Sequence, residues 1–243
     1  MRPDSELVFV GDVHLDREDP DLGAFLTYLR ALGRSAARVV FLGDLFNLWF
    51  GEPELEQEHH RAVVRCLEEL RAGGTELHYL EGNRDFRVGS GHRADLFDAA
   101  TDLGLDESWA GRRLFATHGD RVNANDWQYR AWRRASRSAP AWWLYPAIPA
   151  TRRFALAERM ERSLRSTNLV QKREFPEELV RAYASRRFAQ GYEAVVLGHF
   201  HVERELGPRA GEGPGRVFVL PEWKGSRRHL RVTAKGEMRF EGA

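Results

Sequence analysis

Residues 39–47, with the sequence VVFLGDLFN, contain the pattern on which the expected fold is built. The first four residues are apolar and include two β-branched valines, which indicates a buried strand. Gly43 permits a sharp turn that ends this strand and places Asp44 at its carboxyl end. An Asp in such a position is usually a turn residue or a helix cap, so its role depends on what lies nearby.

Four other short apolar runs are likewise followed by Asp, Asn or His residues. The groups that follow them are Asp12-Val13-His14, Gly82-Asn83-Arg84-Asp85, Thr117-His118-Gly119-Asp120 and Gly198-His199-Phe200-His201. Neighbouring strands in a sheet lie about 4.8 Å apart, so strand ends that are distant in the sequence can meet. The sequence therefore predicts one site built from five strand ends.

The pattern of strands and helices predicts a layered α/β domain. The predicted strands are 7–10, 39–42, 76–80, 113–117, 194–197, 216–220, 230–233 and 237–240. Predicted helices at 21–32, ended by Gly33, and at 55–71 separate the first three strands. This alternation is typical of parallel strands, whereas the last three strands are predicted to close a sheet in antiparallel order.

The segment 123–190 differs from the rest of the chain and predicts an inserted helical cap within a single domain of residues 1–243. Helical spacing runs through most of 125–187, and residues 121–190 carry 15 Arg or Lys against 6 Asp or Glu, a net charge of +9. Such a basic surface is either a solvated helical face or a surface for an anionic ligand, membrane lipid or nucleic acid.

Composition restricts the class of protein and the type of metal site. A hydrophobic content of 42% with 30% charged residues is ordinary for a globular protein. The absence of a long apolar run and the polar start predict neither a membrane-spanning helix nor a secretory signal, and hence a cytoplasmic protein. The single cysteine, Cys66, falls among the apolar positions of a predicted helix, so any metal must use His, Asp, Glu or Asn.

Seven side chains of these types lie at the predicted strand ends. They are Asp12, His14, Asp44, Asn83, His118, His199 and His201. One catalytic ion takes three or four protein ligands, so seven predict two ions that share a carboxylate, for which Asp44 is the candidate. Two such ions can activate water and stabilise the entering and leaving oxygens of a phosphoryl group. The predicted catalytic residues are Asp44, His118 and Arg84, whose guanidinium would neutralise charge in the transition state.

The order of these motifs resembles the calcineurin-like metallophosphoesterase superfamily. The motifs are Asp-x-His, Gly-Asp, Gly-Asn-Arg-Asp, His-Gly-Asp and Gly-His-x-His. The resemblance implies two stacked mixed β-sheets flanked by helices. By position it implies one metal bound by Asp12, His14, Asp44 and His201, and a second bound by Asp44, Asn83, His118 and His199.

Within this superfamily the chain looks most like the UDP-2,3-diacylglucosamine pyrophosphohydrolases of bacterial lipid A synthesis. The resemblance rests on GDLFNLWFG at 43–51, GNRDF at 82–86, Asn125-Asp126, Tyr129 and the helical insertion. It implies two manganese ions, and cleavage of a nucleotide-activated glycolipid into UMP and 2,3-diacylglucosamine 1-phosphate. It also implies peripheral contact with the cytoplasmic face of the inner membrane, with neither a specific nucleic acid nor an obligate protein partner.

The substrate-binding set that follows from the resemblance lies partly in the cap. It comprises Asn83, Arg84, Asp126, Tyr129, Asn168, Gln171 and Lys172. The family presents a Ser, an Asn and a Lys from one cap helix. Asn168 matches the Asn, whereas Leu164 and Gln171 occupy the other two places, for which Ser163 or Lys172 could substitute. Phe200 and Asn47 also depart from the family pattern. None of these departures affects the seven metal-ligand positions, but together they make the exact substrate less certain to be that of the family.

Several interpretations remain open from the sequence. The cap aromatics around Trp142, Trp143 and Tyr145 could line an acyl-chain pocket or form the cap's own core. The chain could be a related phosphoesterase for another nucleotide diphosphate lipid, sugar or dinucleotide. Two further alternatives are a non-catalytic metal-bound scaffold and a nucleic-acid-binding protein, although no recognisable nucleic-acid motif is present.

Overall fold

The computed structural model describes residues 6–149, 151–157, 159–160, 175–209 and 213–243. The strands are β1 (Glu6–Val10), β2 (Ala36–Phe41), β3 (Glu76–Leu80), β4 (Ala99–Thr101), β5 (Leu105–Trp109), β6 (Arg112–Thr117), β7 (Ala194–Leu197), β8 (Arg204–Leu206), β9 (Arg216–Val219), β10 (Arg228–Val232) and β11 (Met238–Gly242). The helices are α1 (Leu22–Ser35), α2 (Glu58–Ala72), α3 (Trp127–Ser136), α4 (Ala139–Leu144) and α5 (Glu177–Phe188). Single 3₁₀ turns occur at Ala94–Leu96 and Tyr145–Ala147, and a short, irregular helical segment lies at Trp223–Ser226.

The strands form two mixed sheets, as the resemblance implied. The first has the order β11-β10-β1-β2-β3-β4 and the second the order β5-β6-β7-β9-β8. In the first sheet β1 to β4 are parallel, whereas β10 and β11 join in antiparallel order. In the second sheet β6, β7 and β9 are parallel. The carboxyl ends of the parallel strands that precede the predicted ligands therefore lie at one edge of each sheet.

Alternating side chains along the strands divide the core into layers. Leu7 and Phe9 of β1 face the second sheet, where they join a cluster that includes Val196 of β7. Val8 and Val10 face the opposite way and pack with α1 and α2. Because successive strand residues point to opposite faces, one apolar run supplies both interfaces. Val180 and Ala184 of α5 cover the outer face of the second sheet, which completes a helix, sheet, sheet, helix order.

Two predicted helix limits were wrong. Gly33 does not end α1, because it lacks the positive φ of a glycine that terminates a helix. The helix continues to Ser35, and the chain passes directly into β2 at Ala36. Helix α2 begins at Glu58 instead of Leu55. His60 Nδ1 accepts from the Gln57 N–H at 3.2 Å there, which satisfies a backbone donor at the start of the helix.

Residues 123–160 include α3 and α4, and residues 151–157 are helical. Aromatic and charged contacts attach this part to the body. The ring of Phe50 stacks between Phe86 and Tyr145, with ring centroids 5.2 and 6.2 Å apart. Arg153 donates to Glu52 at 2.7 Å.

Across the described ranges, no helix combines the length and the apolar character that crossing a membrane requires.

Three histidines outside the five motifs, His59, His60 and His229, are buried, and one of them gives a pH-dependent prediction. His229 is buried against the ring of Tyr28, and neither ring nitrogen has a hydrogen-bond partner among the described residues. Burial, with the charge of Arg231, lowers the pKa of His229 to about 4.

The folded chain therefore binds fewer protons than the unfolded chain between pH 6.5 and 4, and the stability that neutral His229 provides is lost as the pH falls through this window. We expect the free energy of unfolding to fall by about 3 kcal/mol more in the wild type than in His229→Leu over this range. Urea unfolding of both proteins at pH 7 and pH 4 measures the difference, and equal losses would contradict the role of His229.

Candidate metal centre

The five predicted strand ends meet at one edge of the two sheets. The loops after β1 and β2 are joined directly, since Asp12 N–H donates to Gly43 O at 3.1 Å and His14 N–H donates to Asp44 O at 2.9 Å. The loop after β7 joins them through His199 N–H, which donates to Asp12 Oδ2 at 2.7 Å. Residues nearly 190 positions apart in the sequence are thereby brought into contact.

Most of the predicted ligands have an unusual backbone conformation. Five of the seven have positive φ, with values of 51° for Asp12, 52° for His14, 53° for Asp44, 71° for His199 and 55° for His201. Residues with a side chain adopt this left-handed region only a few per cent of the time, and such residues concentrate at functional sites. Gly43 precedes Asp44 with φ of 81°, and a Cβ there would lie 2.4 Å from Gly82 N.

One group of ligand-type atoms surrounds Asp12. His201 Nε2 lies 3.4 Å from Asp12 Oδ1 and 3.1 Å from His14 Nε2. His14 Nε2 in turn lies 3.8 Å from Asp12 Oδ1 and 4.0 Å from Asp44 Oδ2. Such spacing is suitable for one cation among these four side chains, which are those that the resemblance assigns to one metal.

A second group lies on the other side of Asp44. His118 Nε2 lies 3.7 Å from Asp44 Oδ2 and 3.0 Å from Asn83 Oδ1, and Asn83 Oδ1 lies 3.1 Å from His199 Nδ1. Asp44 Oδ2 thus faces a histidine of each group, as expected for the shared ligand. His118 is oriented through its other nitrogen, which lies 2.6 Å from Leu42 O.

The donor set fits divalent cations. The nitrogen and oxygen atoms of these side chains face one another. The buried Asp12 Oδ1 makes no hydrogen bond with the described residues. Burial of an unpaired carboxylate oxygen costs free energy unless a cation is bound to it. Burial lowers the pKa of His14 well below its ordinary value, and burial with the charge of His118 lowers the pKa of His199 to about 4. Both imidazoles are therefore neutral at pH 7, the form that binds metals.

His201 is protonated more readily than His14 or His199. Burial lowers the pKa of His201, but the charge of the Asp12 carboxylate, 3.4 Å away, outweighs this effect and raises the pKa to about 9. A metal ion bound by Asp12 and His201 would displace this proton, because metal ligands bind in their deprotonated form. Mixed nitrogen and oxygen ligands of this kind suit manganese, iron, magnesium or zinc.

Arg84 and Asp85 follow Asn83 and have different surroundings. Arg84 is buried, and its N–H donates to Asp44 Oδ1 at 2.9 Å. Asp85 braces the turn, since its Oδ2 accepts from Gly82 N–H at 2.8 Å and Asp44 N–H at 2.9 Å. Burial and the neighbouring Asp44 carboxylate raise the pKa of Asp85.

The predicted cap residues are only partly described. Asp126 is the N-cap of α3, where its side chain accepts from Tyr129 N at 2.9 Å, and the Tyr129 hydroxyl donates to Asp120. Their contact with substrate stays a prediction. Asn168, Gln171 and Lys172 lie outside the described residues, as do Ser163 and Leu164. Phe200, a departure from the family pattern, packs against Phe175 with ring centroids 5.5 Å apart.

Three supporting cations were missed by the sequence analysis. Arg137 donates to the carbonyls of Gly82 and Asp85 at 2.7 and 2.6 Å, Arg133 donates to Asp120 at 2.8 Å, and Lys224 donates to His14 O at 2.6 Å. The four-residue spacing of Arg133 and Arg137 places them on one helical face, which was the only local signal. Nothing near Lys224 in the sequence indicates its contact with a residue 210 positions away.

Comparisons with known proteins agree with this geometry. The profile described as calcineurin-like phosphoesterase matches residues 6–203. The UDP-2,3-diacylglucosamine hydrolase of Pseudomonas paraeruginosa is 29% identical over 238 residues, which are 95% of this chain and 96% of that protein. The UDP-2,3-diacylglucosamine hydrolase of Aeromonas salmonicida is 30% identical over 240 residues, which are 96% and 92% of the two chains.

A solved structure supports the fold alone. A hypothetical protein from Pyrococcus horikoshii OT3 superposes with a TM-score of 0.53 at 13% identity, covering 98% of this chain and 88% of that one. The ordered motifs, the two mixed sheets and the profile match over most of the length agree with one another. This chain belongs to the calcineurin-like phosphoesterase family, whose members are metal-dependent hydrolases, as its motifs predicted.

Proposed function

We propose that this chain hydrolyses UDP-2,3-diacylglucosamine, with release of UMP and 2,3-diacylglucosamine 1-phosphate for lipid A synthesis. The observation that carries the proposal is the full set of seven ligand-type side chains, arranged in two groups around Asp44. The substrate itself is proposed from the relatives named UDP-2,3-diacylglucosamine hydrolase, which this chain matches over nearly the whole length of both proteins.

Two divalent ions, most suitably Mn²⁺, would be held by the two groups with Asp44 shared between them. When bound, they would activate water and neutralise charge on the phosphoryl oxygens. Asn83, His199 and His201 are partly exposed, whereas Asp12 and Asp44 are buried. The diphosphate would therefore approach from the side of the exposed ligands, where the Arg84 guanidinium would stabilise the negative charge on the phosphoryl oxygens in the transition state.

The cap is proposed as the region that receives the lipid part of the substrate and contacts the inner membrane from the cytoplasmic side. Trp127, Trp143 and Leu144 are 71%, 81% and 58% exposed, and no residue of α4 is buried. Exposed tryptophans beside basic residues suit the boundary between lipid and water. The described cap aromatics therefore favour a lipid-facing role over a core of the cap itself.

The proposed reaction is tested by measuring UMP release from UDP-2,3-diacylglucosamine in the presence of Mn²⁺. UDP-glucose, a dinucleotide polyphosphate and a generic phosphodiester are assayed under the same conditions. Release of UMP from the lipid substrate alone is the expected result. Hydrolysis of another compound without it would keep the phosphoesterase chemistry and assign a different substrate, whereas no hydrolysis of any compound would favour a metal-bound scaffold.

Arg84 gives a prediction for the proposed reaction. Arg84→Ala should lower kcat on the order of 10²-fold, because a fixed charge aimed at the reacting phosphoryl group would be lost. Arg84→Lys should recover part of this loss, since a single ammonium replaces the planar guanidinium. Arg17→Ala is the control, because Arg17 is exposed in the loop that follows His14. Unchanged kcat in Arg84→Ala would remove Arg84 from the catalytic set.

A further inference from the structure

Three residues on one face of α3 make polar contacts with loops of the metal centre. Tyr129, Arg133 and Arg137 follow one another at intervals of four residues, so their side chains project from the same side of the helix and its C-cap. Tyr129 and Arg133 contact Asp120, and Arg137 contacts the turn from Gly82 to Asp85. This face is called the α3 clamp, defined by these three residues.

Arg137 closes the turn that carries Asn83 and Arg84. One nitrogen of its guanidinium, Nη2, donates to Gly82 O at 2.7 Å and to Asp85 O at 2.6 Å. The guanidinium also lies 5.2 Å from the centre of the Phe86 ring, and its Nε is 3.9 Å from Glu81. The Arg137 side chain is only 10% exposed. Its positive charge is therefore largely removed from water, and the guanidinium donates hydrogen bonds to two main-chain carbonyls instead.

Arg133 supports the neighbouring loop, which carries His118. Its Nε donates to Asp120 Oδ2 at 2.8 Å, two residues after His118, and its Nη1 and Nη2 donate to the side chain and carbonyl of Asp102 at 2.9 and 2.8 Å. Arg133 thereby joins the loop that carries His118 to the segment that follows β4.

The other group of ligands is supported by a different segment. Lys224 donates to His14 O at 2.6 Å, and Trp223 N–H donates to Asp12 O at 3.2 Å. Both residues lie in the loop between β9 and β10, which is far from α3 in the sequence. The two halves of the metal centre thus rest on separate parts of the chain.

We infer that the α3 clamp is a positioning device for the metal site formed by Asn83, His118 and His199. Arg137 and Arg133 act through the two loops that carry Asn83 and His118, so a displacement of α3 changes the geometry of this site before it changes that of Asp12, His14 and His201. The inference rests on the metal site of the proposed function and is independent of which phosphoester is the substrate.

The test is a Mn²⁺ titration of the metal-stripped, full-length chain, with free Mn²⁺ followed by electron paramagnetic resonance. Arg137→Met keeps much of the side-chain volume and removes both hydrogen bonds to the turn. We expect one of two ions to bind about 10- to 100-fold more weakly, as for other groups that orient ligands, and the other to be unchanged. Arg134→Met is the matched control, because Arg134 is exposed on the same helix.

Double variants identify the weakened site. In an Asn83→Ala background, Arg137→Met should have no further effect on the remaining ion, whereas in a His14→Ala background it should still weaken binding. Arg137→Lys should give an intermediate affinity, because an ammonium can donate to one or both carbonyls with poorer geometry. Thermal unfolding of each metal-free variant establishes that the chain is folded.

Two results would overturn the inference. One is an Arg137→Met protein that binds both ions with the affinities of Arg134→Met. The other is an equal loss of affinity in the Asn83→Ala and His14→Ala backgrounds, which would indicate a general loss of structure. Failure of the wild type to cleave UDP-2,3-diacylglucosamine would contradict the proposed substrate alone, since the Mn²⁺ titration does not depend on that reaction.

Discussion

Asp44→Ala is expected to reduce kcat/KM on the order of 10³-fold or more. Losses of this size are typical when a group that stabilises the transition state is removed. Asp44 Oδ2 lies 4.0 Å from His14 Nε2 and 3.7 Å from His118 Nε2, so the substitution removes a ligand from both groups. It also removes the acceptor of Arg84 N–H. The measurement is UMP release together with metal content after dialysis.

Asp106→Ala is the control for loss of an acidic side chain. Asp106 forms a half-exposed ion pair with Arg113 at 2.7 Å, away from the five strand ends, and exposed pairs of this kind contribute about 0 to 1 kcal/mol to stability. Its activity and metal content should match the wild type. If Asp44→Ala retained two ions and full activity, the shared-ligand arrangement would be wrong.

Gly82→Ala is expected to abolish most activity by steric means alone. A Cβ at this position would lie 2.1 Å from Asp44 Oδ1 and 2.8 Å from His118 Cε1, distances that van der Waals contact does not allow. Either the Asp44 carboxylate rotates away or the turn moves, and both outcomes displace ligands of the metal centre. Loss of activity by about 10²-fold or more should accompany weaker Mn²⁺ binding.

Gly23→Ala is the matched substitution elsewhere in the chain. A Cβ at Gly23 meets nothing within 4 Å, and the residue lies in the first turn of α1. Because Ala is the better helix former, this variant should retain activity and be more stable by about 0.5 to 1 kcal/mol in urea unfolding. A Gly82→Ala enzyme as active as Gly23→Ala would show that the turn can move without displacing the ligands.

The strands and the first helices could be predicted from the sequence because their apolar residues have a clear period. Val39 to Phe41 lie in β2, and Leu7 to Val10 lie in β1. The predicted strands do not include β4, β5 and β8. Three residues are too few for a period to be recognised in β4 and β8, and β5 has three polar residues in succession at positions 106–108. Helix limits failed at Gly33 and Leu55, where tertiary packing and a capping interaction outweighed local preference.

The site was predictable as a set of residues but not as an arrangement. The seven ligand-type side chains could be identified because each follows a short apolar run. Their positive φ angles and the orientation of His118 by Leu42 O depend on loops that meet only in the folded chain. The roles of Arg137 and Lys224 were not visible for the same reason, since their acceptors lie 52 to 210 residues away.

Each of the two groups proposed to bind an ion takes side chains from both sheets. Asp12, His14, Asp44 and Asn83 follow strands of the first sheet, whereas His118, His199 and His201 follow strands of the second. Both groups are therefore complete only while the two sheets are packed together. Ions bound by the complete groups would link the two sheets, and a chelator should then weaken the cohesion of the two halves of the domain as well as the chemistry.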